Sequence, residues 1–144
     1  MIFRSTAPWW FYALLSAFFA ALTAILAKIG IKGVDSDLAT AVRTAVILLM
    51  VCIVVFVKNG MSGIFELSKT NLIFLSLSGI ATGLSWLFYF RALQLGKVSN
   101  VAPVDKTSVA IAILLSVIFL HETITFKAVF GALLIIAGTI IVII

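Results

Sequence analysis

The sequence predicts an all-α membrane protein with five transmembrane helices that form one domain over residues 1–144. Hydrophobic residues make up 64% of the chain and charged residues only 10%, whereas soluble domains average about 45–50% and about 25%. The apolar residues fall into five stretches, each close to the ~20 residues that a helix needs to cross a bilayer. The links between these stretches are too short for a soluble domain. The expected solvent is therefore the lipid bilayer.

The five spans are expected at about residues 9–27, 38–57, 72–93, 101–120 and 126–144. The first span follows Arg4 and opens with Trp9 and Trp10, an arrangement typical of membrane interfaces. Its apolar run is too long for the core of a signal peptide, so it is interpreted as a retained helix. The longest link, residues 58–71, is expected to form a short turn or helix at the membrane surface.

Single polar residues indicate where some of the helices begin. Ser36 or Asp37 is expected to cap the second span, and Thr125 the last one. Pro103 is expected in the first turn of the fourth span, where a missing N–H group matters least.

Asp105 and Lys106 stand side by side near the start of the fourth span. A charged side chain near the centre of a membrane helix costs about 2.5–3.5 kcal/mol on insertion scales. Such residues are tolerated where they face a bundle interior, a water-filled cavity or each other. The pair therefore indicates a polar pathway, with a structural ion pair or snorkelling to the headgroups as alternatives.

Small and polar residues recur every three or four positions on some helices but not on others. The first span carries Thr23 on such a face, the third carries Gly79 and Gly83, and the fourth carries Asp105 and Ser108. Faces of this kind either line a wet cavity or let helices approach closely. We expect the first, third and fourth spans to surround a cavity, the second to be peripheral, and the fifth to pack or dimerise.

Several classes of function lack the residues that they need. The ten Lys and Arg residues are scattered singly around the helix ends rather than clustered, which argues against nucleic-acid binding. His121 and Glu122 lack the second histidine of a zinc-binding helix, and Cys52 has no partner cysteine. No nucleophile has a matched base. We therefore predict no catalytic residue, no metal site and no cofactor.

The chain resembles the EamA family of the drug/metabolite transporter superfamily over nearly its whole length. The resemblance is most specific from the third span onward, and it consists of an ordered set of residues at characteristic spacings. The set is Trp86, Tyr89, Phe90, Ala92, Leu93, Gly96, Ala102, Pro103, Val104, Lys106, Ser108, Phe119, Leu120, Glu122, Gly131 and Gly138. The first span with Trp10 and Lys28, and Arg43 after it, are also similar to the family pattern.

The resemblance implies a membrane transporter that exports metabolites, amino acids or drugs. Usual members have ten spans in two inverted five-span repeats, with the substrate site at the repeat interface. This sequence holds a single repeat, so a second half is expected from an antiparallel copy or a related small protein. By the same resemblance the protein belongs in the inner membrane. The alternatives are an accessory membrane subunit and one half of a flippase for lipid-linked metabolites.

Within this interpretation, Lys106 is expected to attract anionic substrate groups, and Asp105 to hold Lys106 or take up a proton. Trp86 and Tyr89 are expected to contact an apolar or aromatic part of the substrate. Ser108 and Thr23 complete the predicted pathway. Arg43 is interpreted as a snorkelled anchor rather than a substrate ligand.

The distribution of basic residues bears on how the chain inserts. With five spans the two termini lie on opposite sides, so the links divide into two sets. One side holds Arg4, Lys58, Lys69 and Lys127, and the other holds Lys28, Lys32 and Lys97, with Arg43 and Arg91 if they reach the interface. Because the Lys/Arg bias sets orientation, this near balance predicts a protein that inserts both ways, as an antiparallel homodimer requires.

Overall fold

The computed structural model describes residues 8–58, 60, 63 and 66–144. These residues form six helices, numbered here in chain order. They are α1 (Trp9–Gly30), α2 (Ser36–Val57), α3 (Lys69–Leu95), α4 (Val98–Asp105), α5 (Ser108–Leu120) and α6 (Phe126–Ile143).

Five stretches of the described chain are long and apolar enough to cross a membrane, and α4 and α5 together provide the fourth. The predicted all-α class and the five spans are thus confirmed. The ends of the observed helices lie within about three residues of the predicted bounds. The predicted surface segment at residues 58–71 falls largely outside the described residues.

The fourth span differs from the single continuous helix that the sequence predicted. It begins at Val98, three residues earlier than expected, and its helix is interrupted at Lys106 and Thr107. Pro103 consequently lies inside α4 and not in its first turn, which corrects the prediction.

The helix ends show which capping predictions hold. The Asp35 carboxylate, and not Ser36 or Asp37, accepts hydrogen bonds from the backbone N–H groups of Asp37 (2.9 Å) and Leu38 (3.2 Å). Thr125 caps α6 as predicted, because its hydroxyl accepts from the Ala128 N–H at 3.3 Å.

The chain divides into two compact units, with the boundary between Gln94 and Leu95. In the first unit, which contains α1, α2 and nearly all of α3, a small core forms where α1 ends and α2 begins. Its buried residues are Ala24, Ile31, Ser36, Thr40, Phe90 and Leu93. Gly33 in the α1–α2 turn has a φ of 72°, a conformation that glycine adopts without a steric cost.

In the second unit, α6 contacts both α4 and α5. Thr139 on α6 is buried, and its single hydroxyl proton is shared between the carbonyl oxygens of Pro103, at 3.0 Å, and Ile135, at 2.8 Å. A hydrogen bond between helices is thus made at the proline of α4, next to the interruption of the span.

Most apolar side chains of the described helices are exposed at the surface of the chain. In the spanning window of α3 no residue is buried. A membrane protein of this kind must cover these surfaces with lipid or with another protein chain, because few of them are covered internally.

Candidate functional site

A cavity of about 510 Å³ lies in the first unit and is bounded mainly by α1 and α2. Its lining is almost entirely apolar or small. The lining residues are Thr23, Leu26, Ala27, Gly30, Ile31, Val34, Leu38, Ala39, Val42, Arg43 and Phe90. The second span, predicted to be peripheral, therefore forms one wall of this cavity.

Arg43 is the one charged residue among those that line the cavity. Its guanidinium carbon lies 4.4 Å from the centre of the Trp86 ring and 5.3 Å from that of Phe90, both on α3. Contacts of this length are cation–π interactions. Across residues 8–58, 60, 63 and 66–144, no carboxylate lies within 4 Å of this guanidinium.

Two long-range hydrogen bonds tie the end of α3 to the α1–α2 region beside the cavity. The Lys28 ammonium on α1 donates to the carbonyl oxygen of Leu93, and the Gln94 amide donates to the carbonyl oxygen of Val34 at 2.7 Å. Carbonyl groups in the last turn of a helix lack partners within the helix. Lys28 satisfies one of them and places a positive charge at the negative end of α3.

A second recess of about 470 Å³ lies in the same unit, between the start of α2 and the last turns of α3. It is lined by Asp35, Ser36, Asp37, Leu84, Leu87, Phe88 and Arg91. Asp35 is already used as the α2 cap, and Arg91 donates to the Gln94 side chain at 3.0 Å. These polar groups therefore have structural partners of their own.

The second unit contains the charged pair that the sequence singled out. The Lys106 ammonium lies 3.3 Å from Oδ2 of Asp105, and the Lys106 side chain is 57% exposed. Asp105 is the last residue of α4, Ser108 is the first of α5, and Lys106 lies in the turn between them. The ion pair is therefore placed at a break in a membrane-length helix.

The break is built from local hydrogen bonds. The N–H groups of Thr107, Val109 and Ala110 each donate to the carbonyl three residues earlier, at 3.0 Å. The Thr107 hydroxyl donates to the carbonyl of Val104 at 2.7 Å. These bonds are of the 3₁₀ type, which is tighter than an α-turn and often marks a hinge, and Pro103 removes one further helical donor.

The six predicted pathway residues are divided between the two units. Asp105, Lys106 and Ser108 lie together at the break in the second unit. In the first unit, Thr23 lines the cavity, and Trp86 contacts Arg43. The Tyr89 and Phe90 rings meet edge to face at 6.3 Å.

Sequence reasoning underestimated Arg43, because the spacing of residues along α2 does not show that Arg43 faces two rings of α3. The available signal was an arginine roughly one turn inside the predicted apolar span, because an ionisable residue within a membrane span is a candidate functional residue.

The family model described as the EamA-like transporter family matches residues 7–144 of this chain. The chain belongs to the EamA-like transporter family. A Sinorhizobium protein named "uncharacterized transporter in cobO 3′ region" is 44% identical over 133 residues, which cover 92% of this chain and 94% of that protein. An uncharacterized protein of Methanocaldococcus jannaschii is 30% identical over 93 residues, or 65% of this chain and 66% of its own length.

No solved structure matches the chain. Membership of the EamA-like family, together with five apolar spans, shows a multi-pass membrane protein of a transporter family. The Sinorhizobium relative is a chain of similar length, and its name also describes it as a transporter.

Proposed function

We propose that this EamA-family chain is one half of a small-molecule exporter of the inner membrane. Two copies of opposite orientation, or this chain and a related small protein, would together form the working unit. The unit would carry metabolites, amino acids or drugs by alternating access, with the two halves rocking around a central site.

One observation carries this proposal: the chain has the five spans of a single repeat, and their surfaces are largely uncovered. On α3, hydroxyl side chains are exposed among apolar neighbours, at Ser76, Ser78 and Ser85. A polar group that faces lipid loses its hydrogen bonds to water without replacing them. At a protein interface or in a water-filled cavity, the same group can form new hydrogen bonds. These hydroxyls favour a second protein half beside α3.

The basic residues support an antiparallel copy as this second half. Their near balance between the two sets of links leaves no strong bias towards one orientation. Arg43 contacts the Trp86 and Phe90 rings, so it is left out of the count of basic residues at the membrane interface. The two sides then hold four basic residues against three or four, and the balance remains.

Lys106 is the residue that we assign to the attraction of anionic substrate groups. It sits at a helix break, and transporters commonly build their sites at such discontinuities. Asp105 holds Lys106 in place through the 3.3 Å contact, and it can exchange a proton during coupling. Ser108 supplies a hydroxyl at the start of α5. Trp86, Tyr89 and Thr23 are assigned to the apolar part of the substrate.

The proposal is tested by reconstituting the purified protein in liposomes and measuring efflux of labelled solutes. The panel contains amino acids, aromatic organic acids and cationic dyes, with protein-free liposomes as the control. We expect concentration-dependent efflux of at least one small-molecule class by this protein alone.

Two other results would contradict the proposal in different ways. Efflux by an added second membrane protein that proceeds equally well without this chain would indicate an accessory subunit. Movement of a fluorescent lipid-linked sugar between the leaflets, without efflux of any soluble solute, would indicate a flippase.

A further inference from the structure

We infer that the cavity of the first unit binds a small organic acid with an apolar body, whose carboxylate pairs with Arg43. The inference deepens the proposed function, because identifying the occupant as transported substrate rests on it. The binding itself follows from the charge and shape of the cavity and is tested without transport.

The positive charge of Arg43 favours a ligand with a negative group. Within the described ranges no carboxylate pairs with the guanidinium. It lies against the Trp86 and Phe90 rings and interacts electrostatically with Tyr89 on the same helix. A guanidinium carries five N–H donors in one plane. Aromatic rings interact with the faces of a guanidinium, whereas its edge donors bind a carboxylate with two parallel hydrogen bonds.

The other residues that line the cavity indicate that the rest of the ligand is apolar. Apart from Arg43 and the hydroxyl of Thr23, the side chains that line it are aliphatic or aromatic, with Gly30 between them. A volume of about 510 Å³ falls within the range of about 300–1,000 Å³ that is typical of small-molecule sites. An apolar body with a single negative group fits this lining, whereas an organic cation would be repelled by Arg43.

Trp86 provides a direct readout of an anion beside Arg43. The chain has three tryptophans, and Trp9 and Trp10 stand at the start of α1, with Trp9 81% exposed. A W9F/W10F background therefore leaves Trp86 as the only tryptophan, 4.4 Å from the guanidinium carbon. An anion that binds Arg43 changes the field at this ring and hence its emission.

The experiment places the W9F/W10F protein in phosphatidylcholine nanodiscs and titrates it with phenylbutyrate. Phenylbutylamine, which has the same apolar body and the opposite charge, is the matched control ligand. We expect a saturable change in Trp86 emission with the acid and no saturable change with the amine. Equilibrium dialysis with labelled phenylbutyrate gives the affinity independently of fluorescence.

Three variants locate the site. Arg43→Gln should weaken phenylbutyrate binding about ten- to a hundredfold, because a charge-assisted hydrogen-bonded pair is lost. Ala39→Phe keeps the charge but fills part of the cavity, and it should weaken binding by at least tenfold. Arg91→Gln removes an arginine of α3 that does not line this cavity, and it should leave the affinity unchanged. Gel filtration and far-UV circular dichroism verify that each variant is folded.

The inference is overturned if folded R43Q and A39F bind phenylbutyrate like the parent protein, or if the amine binds as tightly as the acid. It is also overturned if phosphatidylglycerol in the nanodisc saturates the Trp86 signal, since Arg43 would then hold a lipid headgroup. A protein that binds the acid but transports no solute would refute the transport proposal alone. Transport without binding that depends on Arg43 would refute this inference alone.

Discussion

The guanidinium carbon of Arg43 on α2 lies 4.4 Å from the centre of the Trp86 ring on α3. This contact joins two spans that are far apart in sequence, and it places a cation beside an otherwise apolar cavity. It also shows that α2 contributes to the interior of the first unit rather than lying at its periphery.

Replacing Trp86 by Leu should destabilise the first unit. The substitution removes a cation–π contact, which contributes about 0.5–2 kcal/mol depending on its exposure to solvent. Phe88→Leu is the matched control, because Phe88 lies on the same helix and is 74% exposed. Unfolding in mixed micelles with increasing dodecyl sulfate should show a lower midpoint for W86L than for F88L. Equal midpoints would mean that the contact contributes no stability.

Replacing Lys28 by Met should destabilise the same unit through a different contact. Methionine keeps an apolar stem but cannot donate to the carbonyl oxygen of Leu93, and a hydrogen bond to a charged group contributes about 1.5–3 kcal/mol. Lys32→Met removes the same charge from the same side of the membrane, just beyond the end of α1, so any effect on membrane orientation is shared by the two variants. We expect a loss of stability in K28M that is absent from K32M. A similar loss in both would indicate an effect of charge alone.

Replacing Thr139 by Val should loosen the second unit at its broken span. Valine has the shape of threonine but cannot donate to the carbonyl oxygen of Pro103, and hydrogen bonds between membrane helices contribute about 0.6 kcal/mol on average. Thr82→Val is the control, because the Thr82 hydroxyl bonds within its own helix, to the carbonyl of Ser78. Amide hydrogen exchange should rise around Pro103 and Thr107 in T139V and remain unchanged there in T82V. Unchanged exchange in T139V would show that Thr139 does not restrain the break.

Replacing Lys106 by Ala should abolish transport while leaving the amount of protein in the membrane unchanged. The variant removes the exposed cation at the helix break and leaves Asp105 without its ion-pair partner. Lys127→Ala, at the start of α6, removes a positive charge away from the break and should transport normally. The efflux assay in liposomes gives the comparison. Normal efflux by K106A would remove Lys106 from the substrate pathway.

The sequence was sufficient to predict the helices, because apolar stretches of membrane length need no tertiary information. It also placed Asp105 and Lys106 in one span, and the structure joins them in an ion pair. The interruption at Lys106 and Thr107 was missed, since residues 101–120 are apolar on both sides of it and the break depends on three-residue hydrogen bonds. The partners of Arg43 and Thr139 lie on other helices, so only the packed structure reveals them.

The central claim is that two oppositely oriented copies of this chain make one transporter, and the orientation of the C-terminus tests it most directly. The chain is fused after Ile144 to alkaline phosphatase, which is active outside the cytoplasm, or to green fluorescent protein, which is fluorescent inside it. If the chain forms an antiparallel homodimer, both fusions should give comparable signals when normalised to the amount of protein. A signal from only one fusion would contradict the antiparallel homodimer.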